Sequence, residues 1–494
     1  MRFPVLTAEE AAEFIKNDFV VGIGGFSSVG TPKAVPTALA HKAEAEHARG
    51  AEFRVGLITG GATGDPIDGA LARAKAVKFR TPFQSHPDMR GAINRQEVQY
   101  FDLNLSHVAQ DLRYGFLGHM DVCIIEASSV TDDGLVVPTS SVGISPTLCE
   151  AADKIIIELN AHHPEEIRGM HDIYEPLTPP RRREIPIYEP SSRIGTEAIK
   201  VNPDKVLCVV RTNLPDTIAA FTEPNPVTTK IGQNVAEFLF SELRRGIIPK
   251  EFLPLQSGVG NIANAVLGSL GECEDIPPFT MFTEVIQNSV IPLMESGRIS
   301  YASGSSLTLS DEMLHRVYSD LQFFKSRLML RPQEITNHPE LIRRLGVIAI
   351  NTALEVDIFG NVNSTNVCGQ KMMNGIGGSA DFARNSFLSI FTCPSVAKGG
   401  VISAIVPMVT HTDSNEHSVK IVATEHGVAD LRGKSPVQRA REIIEKCAHP
   451  DYKQMLWDYL KIREGKSHTP MALQKAFAMH IALEQTGDMR NAEF

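Results

Sequence analysis

The chain has 494 residues, 43% hydrophobic and 21% charged, with a formal net charge of −10 at pH 7. That length exceeds one ordinary core and calls for two or three domains, and the acidic balance excludes a nucleic-acid surface, which needs a basic field to neutralise phosphates. No apolar run approaches a membrane span, and the seven cysteines are scattered without a C-x-x-C pair, so a cytoplasmic protein with no membrane contact, zinc knuckle or disulfide framework is expected.

In chain order, Thr7 and Glu10 form a capping-box signature ahead of Ala11-Ala12-Glu13-Phe14-Ile15. Phe19-Val20-Val21 reads as a strand entering the turn Gly22-Ile23-Gly24-Gly25-Phe26, and Pro32 starts a helix through Leu39 to His47. Further strands are expected at 53–58, 121–126, 154–159 and 205–211. Continuous apolar runs separated by helical stretches point to a buried, mostly parallel sheet. Between 213 and 229, Leu214-Pro215-Asp216 and Glu223-Pro224-Asn225-Pro226 are proline-rich and aperiodic, which marks a junction. The alternation then resumes, with strands expected at 252–256, 279–283, 346–350, 401–407 and 419–424, and from about 435 the pattern is helical and charged. The predicted architecture is α/β: two open, mostly parallel α/β domains, 1–218 and 219–494, facing a shared cleft, with a C-terminal helical tail packed on the second.

Several motifs carry less than they suggest. Gly22-Ile23-Gly24-Gly25-Phe26 has Ser27 where G-x-G-x-x-G needs its third glycine, which makes a dinucleotide site a weak reading. Gly433-Lys434-Ser435 lacks the leading glycine of a P-loop, since Val428 stands there, and Pro436 should disrupt the helix that pattern needs. His411, Asp413, His417 and His426 are the densest histidine cluster, but the strand at 419–424 separates them, so no metal site is assigned. Pro179-Pro180-Arg181-Arg182-Arg183 fits either an anion contact or a solvated turn paired with Glu175 and Glu184; the second is the commoner use of such a run.

The run Phe279-Thr280-Met281-Phe282-Thr283 ends on Glu284, and strand tips are where open α/β folds place chemistry. Glycine-rich turns precede it (Gln256-Ser257-Gly258-Val259-Gly260-Asn261) and follow it (Asn374-Gly375-Ile376-Gly377-Gly378-Ser379-Ala380-Asp381-Phe382). A nucleophile between two sets of exposed backbone N–H groups is what acyl transfer through a covalent intermediate requires. The local alternative is that Glu284 only opens a helix, where its charge favours the macrodipole. Glu425, after Lys420-Ile421-Val422-Ala423-Thr424, has the same alternative as a capping carboxylate. Asn337 has an alternative as a turn residue and Lys398 as a solvated loop lysine.

These segments, with Thr424-Glu425-His426-Gly427-Val428-Ala429-Asp430-Leu431-Arg432-Gly433, carry a resemblance over nearly the whole chain. The sequence resembles the class I coenzyme A transferases of the acetyl-CoA hydrolase/transferase family, in particular their succinyl-CoA:acetate and propionyl-CoA:succinate members. The resemblance implies that Glu284 is the nucleophile and that the N–H groups of Val259 and Gly378 hold the oxyanion. It implies that Glu425 organises nearby charge, and that Gly258, Val259, Gly260, Asn261, Ile262, Asn337, Asn374, Gly378 and Lys398 border coenzyme A. Coenzyme A is then a substrate rather than a tightly bound cofactor, the other partners are acyl-CoA and small carboxylic acids, and the chain is a homodimer. A hydrolase using the same glutamate is the alternative enzyme, and a non-catalytic coenzyme A sensor the alternative of another class. Two positions depart from the family pattern: Ala380 where glycine is usual and Asn366 where histidine is common. They leave open a shifted loop or an altered acid preference.

Overall fold

The structure, a computed structural model, describes residues 2–218 and 225–494. The Glu223-Pro224 part of the expected junction lies outside the described residues. Compactness divides the chain into a first unit, Met1–Ala220 with Thr280–Leu345 and Asn374–Asp381, and a second, Phe221–Phe279 with Gly346–Met373 and Phe382–Phe494. The expected division at 218/219 is continuous in sequence, whereas the segment carrying Glu284 packs within the first compact unit.

The first unit is built on eight strands: β1 (Val5–Leu6), β2 (Val20–Ile23), β3 (Val55–Thr59), β4 (Val77–Thr81), β5 (Gln99–Tyr100), β6 (Val122–Ala127), β7 (Lys154–Asn160) and β8 (Val206–Thr212). Their order is β1-β8-β7-β6-β2-β3-β4-β5 and every neighbouring pair is parallel. β2 lies between β3 and β6, with Gly22 level with Ile58 and Cys123, so the winding reverses at β2. Parallel strands need crossovers, and helices such as Ala34–Ala48 and Leu105–Arg113 provide them. The interior is apolar: Val21, Ile23, Leu39, Leu57, Val77, Ile124 and Ile156 belong to one buried cluster. The capping box forms as expected, Thr7 accepting from the Glu10 N–H while the Thr7 N–H donates to the Glu10 carboxylate.

Strand β4 is absent from the expected set because Lys78 and Arg80 interrupt its apolar run. Arg80 is fully buried, its guanidinium donating to both Asp68 oxygens and to Thr59 Oγ1. A buried cation satisfied in this way can occupy a core position.

At the reversal, the start of the Ala34–Ala48 helix is taken by protein. The buried Glu158 carboxylate accepts from the backbone N–H groups of Lys33, Ala34 and Val35 at 2.8, 3.1 and 2.6 Å. These donors are the ones a phosphate would use, and an internal carboxylate already uses them.

In the second unit Leu255–Ser257, Ile348–Thr352, Leu388–Thr392 and Ile421–Thr424 run parallel in that order, and Gly427–Asp430 adds an antiparallel edge. The single strand expected at 401–407 is instead two short ones. Ile402–Ser403 pairs in a hairpin with Val396–Ala397, and Ile405–Val406 pairs with Glu355–Asp357. The tail is helical over Pro436–Cys447 and Pro450–Arg463, and Ile443, Ile444, Tyr452, Leu456 and Tyr459 join the core of this unit. Pro436 begins a helix rather than disrupting one: Ser435 caps it in a capping box with Gln438, and proline sits in its first turn, where a missing N–H costs nothing.

Candidate functional site

Glu284 sits between two short strands, Phe279–Phe282 and Val285–Gln287, and opens no helix. Its carbonyl accepts from Ser305 N at 2.7 Å, and Thr283 N donates to Ser303 O at 2.9 Å, so the backbone on both sides of the carboxylate is held by the Ile299–Gly304 strand and the residues after it. A β-branched, aromatic run followed by a kink presents the side chain at a strand tip.

The carboxyl meets two partners. Asn337 Nδ2 donates to Glu284 Oε1. Gly378 approaches so closely that a Cβ placed on it would overlap both Glu284 Oε1 and Asn337 Nδ2. Only glycine permits backbone to come this near the carboxylate. A small part of Glu284 remains accessible, but burial dominates its electrostatics and pushes the carboxyl up to about 7, against the lowering effect of the Asn337 hydrogen bond.

The Gly377-Gly378 turn is anchored from its own unit. Tyr100 OH donates to Asn374 O at 2.5 Å, Ile376 N to Asp102 Oδ2 at 2.7 Å, and Leu105 N to Gly377 O at 3.2 Å. Asp381, 6% exposed, accepts from Ser106 N at 3.0 Å and Ser106 Oγ at 2.6 Å, and also takes a hydrogen bond from the Asn337 side chain. Burial pushes the Asp381 carboxyl up to about 7 as well, with the Glu284 charge adding to the rise and the Ser106 donors opposing it.

Of the residues singled out from the sequence, Glu284, Asn337, Asn374 and Gly378 therefore lie in the first unit. Asn337 is fully buried at the C-cap of Gln333–Thr336, so it is both a helix-end residue and a partner of Glu284. Asn374 Oδ1 is buried without a hydrogen-bond partner among the described residues. Asp381 and Ser106 were not assigned from the sequence. Asp381 stands inside a quoted motif, but its partner is 275 residues away, a relation no local pattern carries.

The other singled-out residues lie in the second unit. Gly258, Val259 and Gly260 precede the helix Asn261–Glu272, which contains Asn261 and Ile262; Val259 is 55% exposed. Lys398 is exposed in the turn of the 396–403 hairpin. Glu425 sits in the turn joining Ile421–Thr424 to Gly427–Asp430, and its carboxylate accepts from Ser395 N at 2.9 Å and from Ser395 Oγ. It caps no helix.

The remaining motifs find ordinary partners. Asp413 accepts from Ser364 N and Thr365 Oγ1 and meets His411 at 3.3 Å, while His426 stacks edge-on against His449. In the basic turn, Arg182 pairs with Glu334 at 3.1 Å rather than with the expected Glu175 or Glu184, because the turn folds back over the start of the Gln333–Thr336 helix. Ala380 lies inside the helix Ser379–Asn385, where alanine is favoured over glycine, so the helix itself accounts for that departure. Asn366 N donates to Asn363 Oδ1 at 2.9 Å in a small hairpin.

A desolvated carboxylate at the end of a short strand, with a backbone turn pressed against it, marks an enzyme site suited to nucleophilic chemistry. The N-terminal domain of the acetyl-CoA hydrolase/transferase family matches residues 3–211, and its C-terminal domain matches residues 314–460. A propanoyl-CoA:succinate CoA transferase of Escherichia coli K12 is 49% identical over 484 residues, covering 98% of each chain. A succinyl-CoA:acetate CoA-transferase of Clostridium kluyveri is 47% identical over 488 residues, covering 98% of this chain and 90% of that one. Among solved structures, RipA from Yersinia pestis superposes with a TM-score of 0.71 at 21% identity, covering 93% of this chain and 97% of that one, a likeness of fold. The chain belongs to the acetyl-CoA hydrolase/transferase family. It is an enzyme of that family, whose chemistry is coenzyme A transfer or hydrolysis. No helix among the described residues is long and apolar enough to cross a membrane.

Proposed function

We propose that the enzyme transfers coenzyme A between an acyl-CoA and a small carboxylic acid, succinyl-CoA with acetate or propionate, using Glu284 as a covalent nucleophile. The observation that carries this reading is the contact of the Glu284 carboxyl with Gly378 and Asn337, in surroundings that strip it of water.

A Glu284 oxygen attacks the thioester carbonyl, the C–S bond breaks, and coenzyme A leaves as thiolate from an acyl-glutamyl anhydride. The thiolate then attacks the glutamyl carbonyl, the anhydride C–O bond breaks, and the first carboxylate departs, leaving a glutamyl-CoA thioester. A second carboxylate reverses both steps and carries coenzyme A away. No proton, metal or nucleotide is consumed on balance, because each bond broken is replaced by one of similar energy. Poor hydration of the attacking carboxylate suits the first step. Backbone donors suit the tetrahedral oxyanions, and this role is given to the N–H groups of Gly378 and Val259. Gly258, Gly260, Asn261, Ile262, Asn337, Asn374 and Lys398 are taken to border coenzyme A, and Glu425 to organise charge. In this reading residues 1–218 and 219–494 are the two domains of the chain, and the enzyme is a homodimer.

A hydrolase would use the same residues, with water opening the glutamyl-CoA thioester, and the family includes that activity in its description. The separating experiment follows acyl-CoA loss with and without added carboxylate. Turnover that requires the acid, with a new acyl-CoA formed in equal amount, is the expected result. Equal loss without acid makes the enzyme a hydrolase, and binding without any turnover makes it a sensor.

A further inference from the structure

Asn337 is the only polar side chain recorded as hydrogen-bonding the Glu284 carboxyl among the described residues, and its carboxamide is fully used. Oδ1 accepts from Thr336 Oγ1 at 2.9 Å, and Nδ2 donates to Glu284 Oε1 and bonds Asp381. A carboxamide has two N–H donors, so one is left for each carboxylate. Turned over, the amide would aim its oxygen at both carboxylates and its NH2 at the Thr336 hydroxyl. Thr336 can reorient its hydroxyl, so the two carboxylates decide the orientation. One of them is the proposed nucleophile, whose bonding must change at every step; the other is Asp381, which does not react.

Asp381 is well placed to act as a fixed reference. Both its oxygens are engaged by Ser106, one through the backbone N–H and one through the hydroxyl. The neighbouring Leu105 N donates to Gly377 O, so two consecutive residues at the start of the Leu105–Arg113 helix hold the segment that bears Gly378 and Asp381. All three polar residues are buried: Asp381 at 6% exposure, Ser106 at 5% and Asn337 at 0%.

We infer that Asp381, held by Ser106, is a positioning residue for the transfer reaction: it locks the Asn337 amide so that one N–H always faces the Glu284 carboxyl. The inference rests on Glu284 being the nucleophile. Asp381 touches neither substrate nor reacting atoms and works through Asn337, keeping a donor on the glutamyl oxygen as that group passes from carboxylate to anhydride to thioester. A donor already aimed needs no reorganisation in the transition state.

The test is a double-mutant cycle on the full-length enzyme with Asp381→Ala and Asn337→Ala, reading kcat and the KM for acyl-CoA separately. Asp381→Ala should lower kcat about 10- to 100-fold, the range expected when an oriented donor is loosened, with KM changed less than about 3-fold. In the Asn337→Ala background the same change should cost less than about 2-fold, because the residue it acts through is gone. Ser106→Ala, which leaves the backbone donor in place, should give a smaller fall than Asp381→Ala. Where Asp381→Ala does not yield folded protein, the isosteric Asp381→Asn replaces it in the cycle. Additive losses, an unchanged kcat, or a loss confined to KM would overturn the positioning role. Wild-type enzyme incubated with acyl-CoA is mapped in parallel: an adduct on Glu284 with an additive cycle sinks only this inference, whereas the absence of an adduct from a turning-over enzyme sinks the nucleophile itself.

Discussion

At the scale of single residues, the proposed chemistry depends on a carboxylate that the fold holds at a cost. The Glu284 carboxyl is raised to about 7 by burial, from an ordinary value of 4.5. A raised carboxylate pKa means that its favourable contribution to folding is complete below about 4.5 and is lost as the pH rises through about 7. Glu284→Gln should therefore melt higher than wild type at about pH 8, with the difference shrinking by about pH 5, while transfer is abolished. Thermal melts at the two pH values check this, and a lower melting temperature at pH 8 would show that the charge is accommodated without strain. Activity should move the opposite way, with kcat/KM falling as the pH drops below about 7 because the protonated acid does not attack. Since Asp381 also lies near 7 and feels the Glu284 charge, that limb belongs to the pair rather than to one residue. At Gly378 the expected effect is steric. Gly378→Ala should displace the Glu284 carboxyl and lower kcat by about 10²–10³ while the protein stays folded, and near-normal turnover would mean that the close approach is incidental.

At the scale of elements, the first-unit sheet is stitched at its reversal by buried charge. The Lys33 ammonium lies 2.6 Å from Glu126 and 3.1 Å from Asp216, with Asn160 and Thr139 also donating to Glu126. Desolvation alone would raise the Glu126 carboxyl, but the Lys33 charge and His163 more than offset it and hold it below the usual range. That stability is present above the ordinary carboxylate pKa and is lost as the pH falls below it. Lys33→Met, which strands two buried carboxylates, should destabilise the protein by about 3–5 kcal/mol in denaturant melts; a change under about 1 kcal/mol would mean that solvent reaches the pair. This network also shows where sequence reading reaches its limit. Strands such as β6 and β7 were legible because each carries a continuous buried apolar stretch, 122–125 and 155–157, ahead of its glutamate. β4 was not, because its charged Arg80 is buried by Asp68, and the strand Leu388–Thr392 was not, because Ser389 is satisfied by the carbonyl of Ser418. Glu284 stands out in the sequence as the candidate nucleophile, as a strand-tip acid with flanking glycines together with family resemblance. The Ser106–Asp381–Asn337 chain was not, since it joins positions that only the folded topology brings together.

At the scale of the whole molecule, two family domains span most of the chain, and close relatives match it nearly end to end. In the proposed mechanism a strand tip presents the nucleophile and the glycine turns give backbone donors, which leaves substrate choice to the side chains that line the path of the acid. The proposal that turnover is acid-dependent belongs at this scale, because it concerns how completely the folded enzyme excludes water from the thioester intermediate. The central claim, that Glu284 accepts and surrenders an acyl group, is tested most directly by incubating the full-length enzyme with acyl-CoA and no acceptor, then mapping the modified peptide by mass spectrometry. The account predicts a coenzyme A adduct on the peptide containing Glu284, absent from Glu284→Gln. A label on a cysteine, or no label in an enzyme that transfers at full rate, would contradict it.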